Sequence, residues 1–240
     1  MLIRLNKYIA QSSAYSRRAA DGLISQGRVK VNGRFVRTLG QKIDSDRDTV
    51  EVGGSIIQPS EEMVYVMLHK PPGYLVTRKD PLKRPTVMEL LPPLASGIFP
   101  VGRLDLDSAG LLILTNDGEL AHRLLHPRHE VKKLYRVRVK SRPSEASLDT
   151  LREGVYLDGK KTAPARITPV SLGARQSWLD VEIHEGRKRE VRRLFESQGY
   201  SVLELKRLRF AGLSLGKLAS GAWRHLSPAE VRGLKEMVGL

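Results

Sequence analysis

Ser16-Arg17-Arg18-Ala19-Ala20-Asp21-Gly22-Leu23-Ile24-Ser25-Gln26-Gly27-Arg28-Val29-Lys30-Val31-Asn32-Gly33 changes its hydrophobic period once, at Gly27. Before that glycine, Ala19, Leu23 and Ile24 recur at helical spacing, and Ser16 stands where it can cap a helix over 16–26. Beyond it, Val29 and Val31 alternate with polar residues, and Asn32-Gly33 is a tight hairpin signal. Working outward, 5–11 is a further helical stretch and 49–52 a closing strand. The run from Gly53-Gly54 through Pro59, Ser60, Glu61 and Glu62 reads as a linker. The expected organisation is therefore a small unit at 1–55, a linker at 56–62 and a larger domain at 63–240.

In the larger part, 63–68 is a short strand broken by Pro71-Pro72-Gly73. Asn116-Asp117-Gly118 is a turn between the apolar run 111–114 and a helix at 119–125. Strands are expected at 135–139, 155–157 and 178–183, around a helical stretch near Leu148, and another helix at 190–198. Ser227-Pro228-Ala229-Glu230 has capping-box order with proline at the first helical position, which predicts a terminal helix. Strands and helices mix without strict alternation, so the fold class is α+β. The expectation is a small amino-terminal α/β domain followed by a larger, mixed, mainly antiparallel-sheet domain.

Charge narrows the function classes. Across 240 residues, 41 Lys and Arg against 26 Asp and Glu leave a formal net charge of +15. Such an excess favours a polyanionic partner, because basic side chains displace condensed counterions from phosphates. Arg4, Lys7, Arg17, Arg18, Arg28, Lys30 and Arg34 concentrate in the first unit and could form a phosphate-binding face. The chain holds 0 cysteines, which excludes disulfides, thiol nucleophiles and cysteine-ligated zinc. No apolar run is long enough for a bilayer and no signal-peptide pattern opens the chain, so a soluble, cytoplasmic protein without a membrane partner is expected.

Several chemical signals are weak. His122 and His126 have metal-ligand spacing on a helix, but Arg123 follows where a zinc protease needs glutamate, so no metal is expected. Gly212-Leu213-Ser214-Leu215-Gly216-Lys217 is one residue short of a phosphate loop and reads as a turn. No glycine-rich dinucleotide or methyl-donor motif follows a strand, and no cofactor is expected. Tyr8, Tyr15, Tyr65 and Trp223 read as packing residues.

The stretch Phe99-Pro100-Val101-Gly102-Arg103-Leu104-Asp105-Leu106-Asp107-Ser108-Ala109-Gly110 carries two carboxylates in a glycine-bounded loop that enters an apolar strand, a usual place for catalytic groups. An aspartate there can equally be a turn or cap residue. Residue chemistry alone leaves Asp105 and Asp107 as equal candidates.

Ordered blocks carry a resemblance to known families. Arg4-Leu5-Asn6-Lys7-Tyr8-Ile9-Ala10, Ser16-Arg17-Arg18-Ala19-Ala20 and Gly27-Arg28-Val29-Lys30-Val31-Asn32-Gly33 resemble the S-four-type RNA-binding domain, which implies a shape-and-phosphate reader of folded RNA. Over essentially its whole length the chain resembles the pseudouridine synthases of the RsuA/RluB type, which recognise ribosomal RNA. Gly102-Arg103-Leu104-Asp105 matches that family's catalytic motif and selects Asp105 as nucleophile. Lys70-Pro71-Pro72-Gly73 resembles the motif opening the catalytic domain, with His69 where asparagine is more usual. Lys133-Leu134-Tyr135-Arg136-Val137 resembles the block whose tyrosine packs beside the target base, which assigns Tyr135 to that role. Glu185-Gly186-Arg187-Lys188-Arg189-Glu190-Val191-Arg192-Arg193-Leu194, with a tail in Leu205-Lys206-Arg207-Leu208-Arg209-Phe210, resembles the third block. By that resemblance Arg192 is the basic partner of the aspartate; Arg189 and Glu190 depart from the more common histidine and glutamine. Arg103, Arg187, Lys188 and Arg189 join the amino-terminal cations as expected RNA contacts.

The resemblance implies isomerisation of a uridine to pseudouridine in ribosomal RNA, of the large subunit in preference to the small, with base flipping and no cofactor. The implied partners are ribosomal RNA or subunit assembly intermediates, and a monomer is expected. A non-catalytic ribosome-binding or assembly factor is the competing class.

Overall fold

In the computed structural model, which describes residues 1–12, 15–59, 62–94 and 97–240, the period change at Gly27 is the end of a helix and the start of a sheet. The chain divides into two units, residues 1–64 with 93–99, and residues 65–92 with 100–240.

The first unit contains β1 (Leu2–Arg4), α1 (Leu5–Ser12), α2 (Arg17–Ser25), β2 (Val29–Val31), β3 (Arg34–Val36), β4 (Lys42–Asp44), β5 (Val50–Val52) and β6 (Ser55–Ile57). Ser16 caps α2 by accepting from the Ala19 N–H, and Gly27 leaves the helix at φ 65°. Strands pair in the order β3-β2-β5-β6, with β1 against β4. Val29, Val50 and Val52 face Leu5, Ile9, Leu23 and Ile24 in the core. The alternate positions place Lys30 opposite both Phe35 and Glu51 on the other face.

The expected cut after residue 55 falls inside β6, which pairs with β5. Residues 56 and 57 thus belong to a strand and not to the linker. A three-residue strand beside Gly53-Gly54 is too short to show alternation. Residues 60 and 61 of the expected linker lie outside the described residues.

The second unit begins with β7 (Tyr65–Lys70), and β8 (Phe99–Val101) leads into the loop that carries both aspartates. There follow β9 (Ala109–Thr115), α3 (Gly118–Leu125), β10 (Lys133–Lys140), α4 (Glu145–Glu153), β11 (Tyr156–Leu157), β12 (Lys160–Lys161), β13 (Arg166–Leu172) and β14 (Gln176–Ile183). The chain ends with α5 (Glu190–Ser197), β15 (Val202–Phe210), β16 (Leu213–Ser214), β17 (Trp223–His225) and α6 (Pro228–Met237). The main sheet runs β13-β14-β10-β15-β9-β7-β17. Its ladders are antiparallel except β15 against β9, so the α+β expectation with a mainly antiparallel sheet describes the fold.

Local chemistry accounts for these elements. Residues 110–115 of β9 are buried without alternation, as a strand covered on both faces requires. Asp117 caps α3 through Leu120 N–H, and Ser227 with Glu230 closes a capping box on α6. β13 and β15 were not legible as strands in the sequence. Pro169 interrupts the first, and Glu204, Lys206, Arg207 and Arg209 mask the second as a basic tail.

Candidate active site

The loop entering β9 is held from below by a lysine. Lys70, fully buried at the end of β7, donates from Nζ to the carbonyls of Asp105 (3.1 Å), Leu106 (3.2 Å) and Ser108 (2.7 Å), and to Pro71 (3.0 Å). Burial pushes its pKa down to about 8, against the pull of Asp107 and Asp105. The Pro71-Pro72-Gly73 break adds a further tie, Gly73 N–H to the Leu106 carbonyl at 2.8 Å. His69 Nδ1 lies 2.7 Å from the Leu218 carbonyl, a contact within the fold that suits a structural substitution.

Thus fixed, the loop presents its two aspartates differently. Asp105 lines a cavity of about 860 Å³, and among the described residues no hydrogen bond or ion pair engages its carboxylate. Asp107 is half-exposed and pairs with Arg192 of α5, Oδ2 to Nη2 at 2.9 Å. Arg192 also donates to the Val202 carbonyl. The expected pairing of Arg192 with Asp105 is therefore not the ion pair formed. Within one tight turn, closed by Ser108 N–H on the Asp105 carbonyl, the two side chains diverge, and only Asp107 reaches α5.

The cavity is built by strand periodicity. Lys133 and Tyr135, two apart on β10, lie on the same face, and Tyr135 sits opposite Arg207 of β15. Arg207 in turn pairs with Gly110 of β9. A Cβ on Gly110 would lie 2.3 Å from the Arg207 carbonyl, and φ is 117° there, so glycine alone permits this approach. Lys133, Tyr135, Arg207 and Ser108 all line the cavity with Asp105. Arg103, Arg187, Lys188 and Arg189 contribute to its wall. Arg187 is already engaged by the Lys160 and Lys161 carbonyls and by Glu185. Arg192 does not line it.

Glu190, at the start of α5, is buried in the wall. Its Oε2 accepts from Arg187 N–H, and burial, reinforced by neighbouring Glu185, raises its pKa to about 7. The remaining expected RNA contacts lie in the first unit. Arg4, Arg17, Arg18 and Arg28 are exposed, Lys7 is partly exposed, and Lys30 sits 3.6 Å from Glu51 and over the exposed Phe35 ring. The sequence reading gave Lys70, Ser108, Lys133 and Arg207 no role. Lys70, Lys133 and Arg207 stood within matched blocks, but which of them reach the cavity depends on pairings invisible in one chain. Among the described residues, no cluster of three His, Asp or Glu could hold a metal, and no helix is long and apolar enough to cross a membrane.

The main sheet thus carries a basic, carboxylate-bearing cavity. A family model described as RNA pseudouridylate synthase matches residues 64–197, and an S4 domain model matches residues 3–48. The chain belongs to the RNA pseudouridine synthase family and is an isomerase of that type with an amino-terminal RNA-binding S4 domain. It is 43% identical to a ribosomal large subunit pseudouridine synthase B of Bacillus subtilis, covering 98% of this chain and 96% of the relative. It is 41% identical to an uncharacterized RNA pseudouridine synthase of Aquifex aeolicus, covering 100% of this chain and 96% of the relative. A crystal structure of a pseudouridylate synthase superposes with a TM-score of 0.70 at 32% identity, covering 97% of this chain and 99% of that one.

Proposed function

We propose that this enzyme converts one uridine of large-subunit ribosomal RNA to pseudouridine, in the cytoplasm, with Asp105 as the nucleophile. The carrying observation is the unpaired Asp105 carboxylate in a cavity of about 860 Å³ that also holds Tyr135 and Arg207. That volume suits a small-molecule-sized guest such as a single nucleotide. A uridine inside a folded RNA reaches such a site only by leaving its stack, at a cost of a few kcal/mol offset by aromatic and basic contacts.

In this reading Asp105 acts on the electron-poor sugar carbon C1′, or on the proton beside it. The base detaches, rotates and rejoins through C5, with protons the only species exchanged. Tyr135 packs against the uracil and is placed to assist proton transfer after rotation. Arg192 acts through Asp107, whose ion pair steadies the loop below Asp105. The basic rim of Arg103, Lys188 and Arg189 supplies phosphate contacts, and the S4 domain, with Arg4, Lys7, Arg17, Arg18, Arg28 and Lys30, docks the folded target. Ribosomal RNA or an assembly intermediate is the partner and the protein acts as a monomer.

The test is pseudouridine mapping on unmodified ribosomal RNA and subunits incubated with wild type, Asp105→Ala or Asp107→Ala. A site formed by wild type and Asp107→Ala but not by Asp105→Ala is expected. Activity that survives in Asp105→Ala would refute the nucleophile, and a wild type silent on every substrate would refute the function.

A further inference from the structure

The outward face of the amino-terminal sheet differs from an ordinary solvated surface. Strand alternation sets one side chain from each of four strands in a row across it: Phe35 of β3, Lys30 of β2, Glu51 of β5 and Ile56 of β6, each directly opposite its neighbour. Phe35 is 68% exposed and Ile56 64% exposed, so the row begins and ends on apolar side chains that no core covers. Lys30 Nζ lies 5.1 Å from the centre of the Phe35 ring and 3.6 Å from Glu51 Oε2, too far for a hydrogen bond. Among the described residues neither charge has a side-chain hydrogen bond, and both reach solvent, with 36% of the Lys30 side chain and 24% of the Glu51 side chain exposed. A cavity of about 320 Å³ opens between the ring, this charge pair and Arg28. Its remaining wall is Gly27, Gly53 and Gly54, which add no side chain of their own.

A net charge of +15 favours a polyanionic ligand, yet a carboxylate in the middle of this face repels any phosphate placed against it. A ligand that suits the ring and the carboxylate together needs a flat apolar face and N–H donors on its edge, and an unstacked RNA base has both. The four bases differ on their pairing edges. Guanine alone presents two adjacent donors, N1–H and N2–H, which match the two oxygens of a carboxylate, beside one acceptor, O6, which matches an ammonium. Adenine and cytosine offer one amino donor beside a bare ring nitrogen, and uracil one N–H between two carbonyls, so each sets an acceptor against the second carboxylate oxygen. We propose that this cavity binds one unstacked guanine of the target RNA. The base stacks on Phe35, its N1–H and N2–H donate to Glu51, Lys30 donates to O6, and Arg28 meets the adjoining phosphate. The base takes the place of the ammonium on the ring, and the flexible Lys30 side chain turns toward O6. The site reads sequence near the target and does not rest on the reaction proposed above.

The experiment uses the full chain and the single-stranded RNAs UUGUU, UUAUU, UUCUU and UUUUU. Affinity is read by fluorescence anisotropy at about 150 mM monovalent salt, where long-range charge attraction is screened, and the contacts are located by amide NMR. UUGUU is expected to bind about 10-fold more tightly than the other three, the discrimination of one bidentate base contact, with its shifts confined to residues 27–30, 35 and 51–54. Glu51→Gln keeps one acceptor and loses the second, and should reduce the guanine preference to within about 2-fold. Phe35→Ala removes the stacking surface and should weaken UUGUU about 10-fold. Both side chains lie on the surface, so each variant should melt like wild type, and thermal melting checks this. Equal affinity for the four RNAs, a guanine preference that survives in Glu51→Gln, or shifts that fall elsewhere would overturn the proposal. So would shifts at these residues that grow with protein concentration and need no RNA, which would give the face to a second copy of the chain. Because the readout is binding, its outcome is distinct from whether the wild type forms pseudouridine.

Discussion

Glu190 shows what a single residue does where water is scarce. Burial disfavours its charged form and Glu185 adds to the effect, while the Arg187 N–H and the Arg187 charge oppose it; Lys133 also interacts with Glu190. The native state therefore holds the Glu190 proton more tightly than the unfolded chain does. Its contribution to stability is fully present below the ordinary value of 4.5 and is lost as pH rises through about 7. Glutamine can still accept from Arg187 N–H and never ionises. Glu190→Gln is expected to melt like wild type near pH 5 and above it at pH 8, by roughly 1–3 kcal/mol. A gap that does not widen with pH between those values would contradict this. Lys70 carries the opposite consequence, since Lys70→Met leaves three loop carbonyls without their donor. A loss of at least about 2 kcal/mol in chemical denaturation is expected, together with reduced turnover.

At the scale of elements, the parallel meeting of β9 and β15 is the join on which the cavity depends. Gly110→Ala places a methyl against the Arg207 backbone at a positive φ. The expected result is a loss above about 3 kcal/mol or failure to accumulate folded protein, read by thermal melting. The caps make a milder comparison: Ser16→Ala and Ser227→Ala should each cost about 1 kcal/mol, measured the same way. Elements with local signatures were the legible ones. Helix α2 announced itself by its cap residue and spacing, α6 by its capping-box order, α3 by the turn before it, and β9 by its apolar run. β15 did not, because its outward positions carry Glu204, Lys206 and Arg209 and one inward position carries Arg207. A charged residue buried for a cavity breaks the pattern by which buried strands are recognised.

For the whole molecule, the +15 charge makes RNA affinity a function of salt. Binding to folded ribosomal RNA is expected to fall by about 10³-fold between about 50 and 200 mM monovalent salt, and Arg17→Ala with Arg18→Ala to reduce the log–log slope by about 2. Filter binding over a salt series checks both. The sequence by itself determined the kind of chain this is: its α+β class, its basic charge, its S4-like opening and its resemblance to the pseudouridine synthases. Those features are local in the chain, carried by period, caps and short ordered blocks. Only the tertiary structure decided that Arg192 meets Asp107, that Lys70 holds the loop above it, and that Ser108 and Arg207 share a cavity with Asp105. These are pairings between segments distant in sequence, set by strand register and by which strand lies beside which. No spacing within one chain encodes them directly.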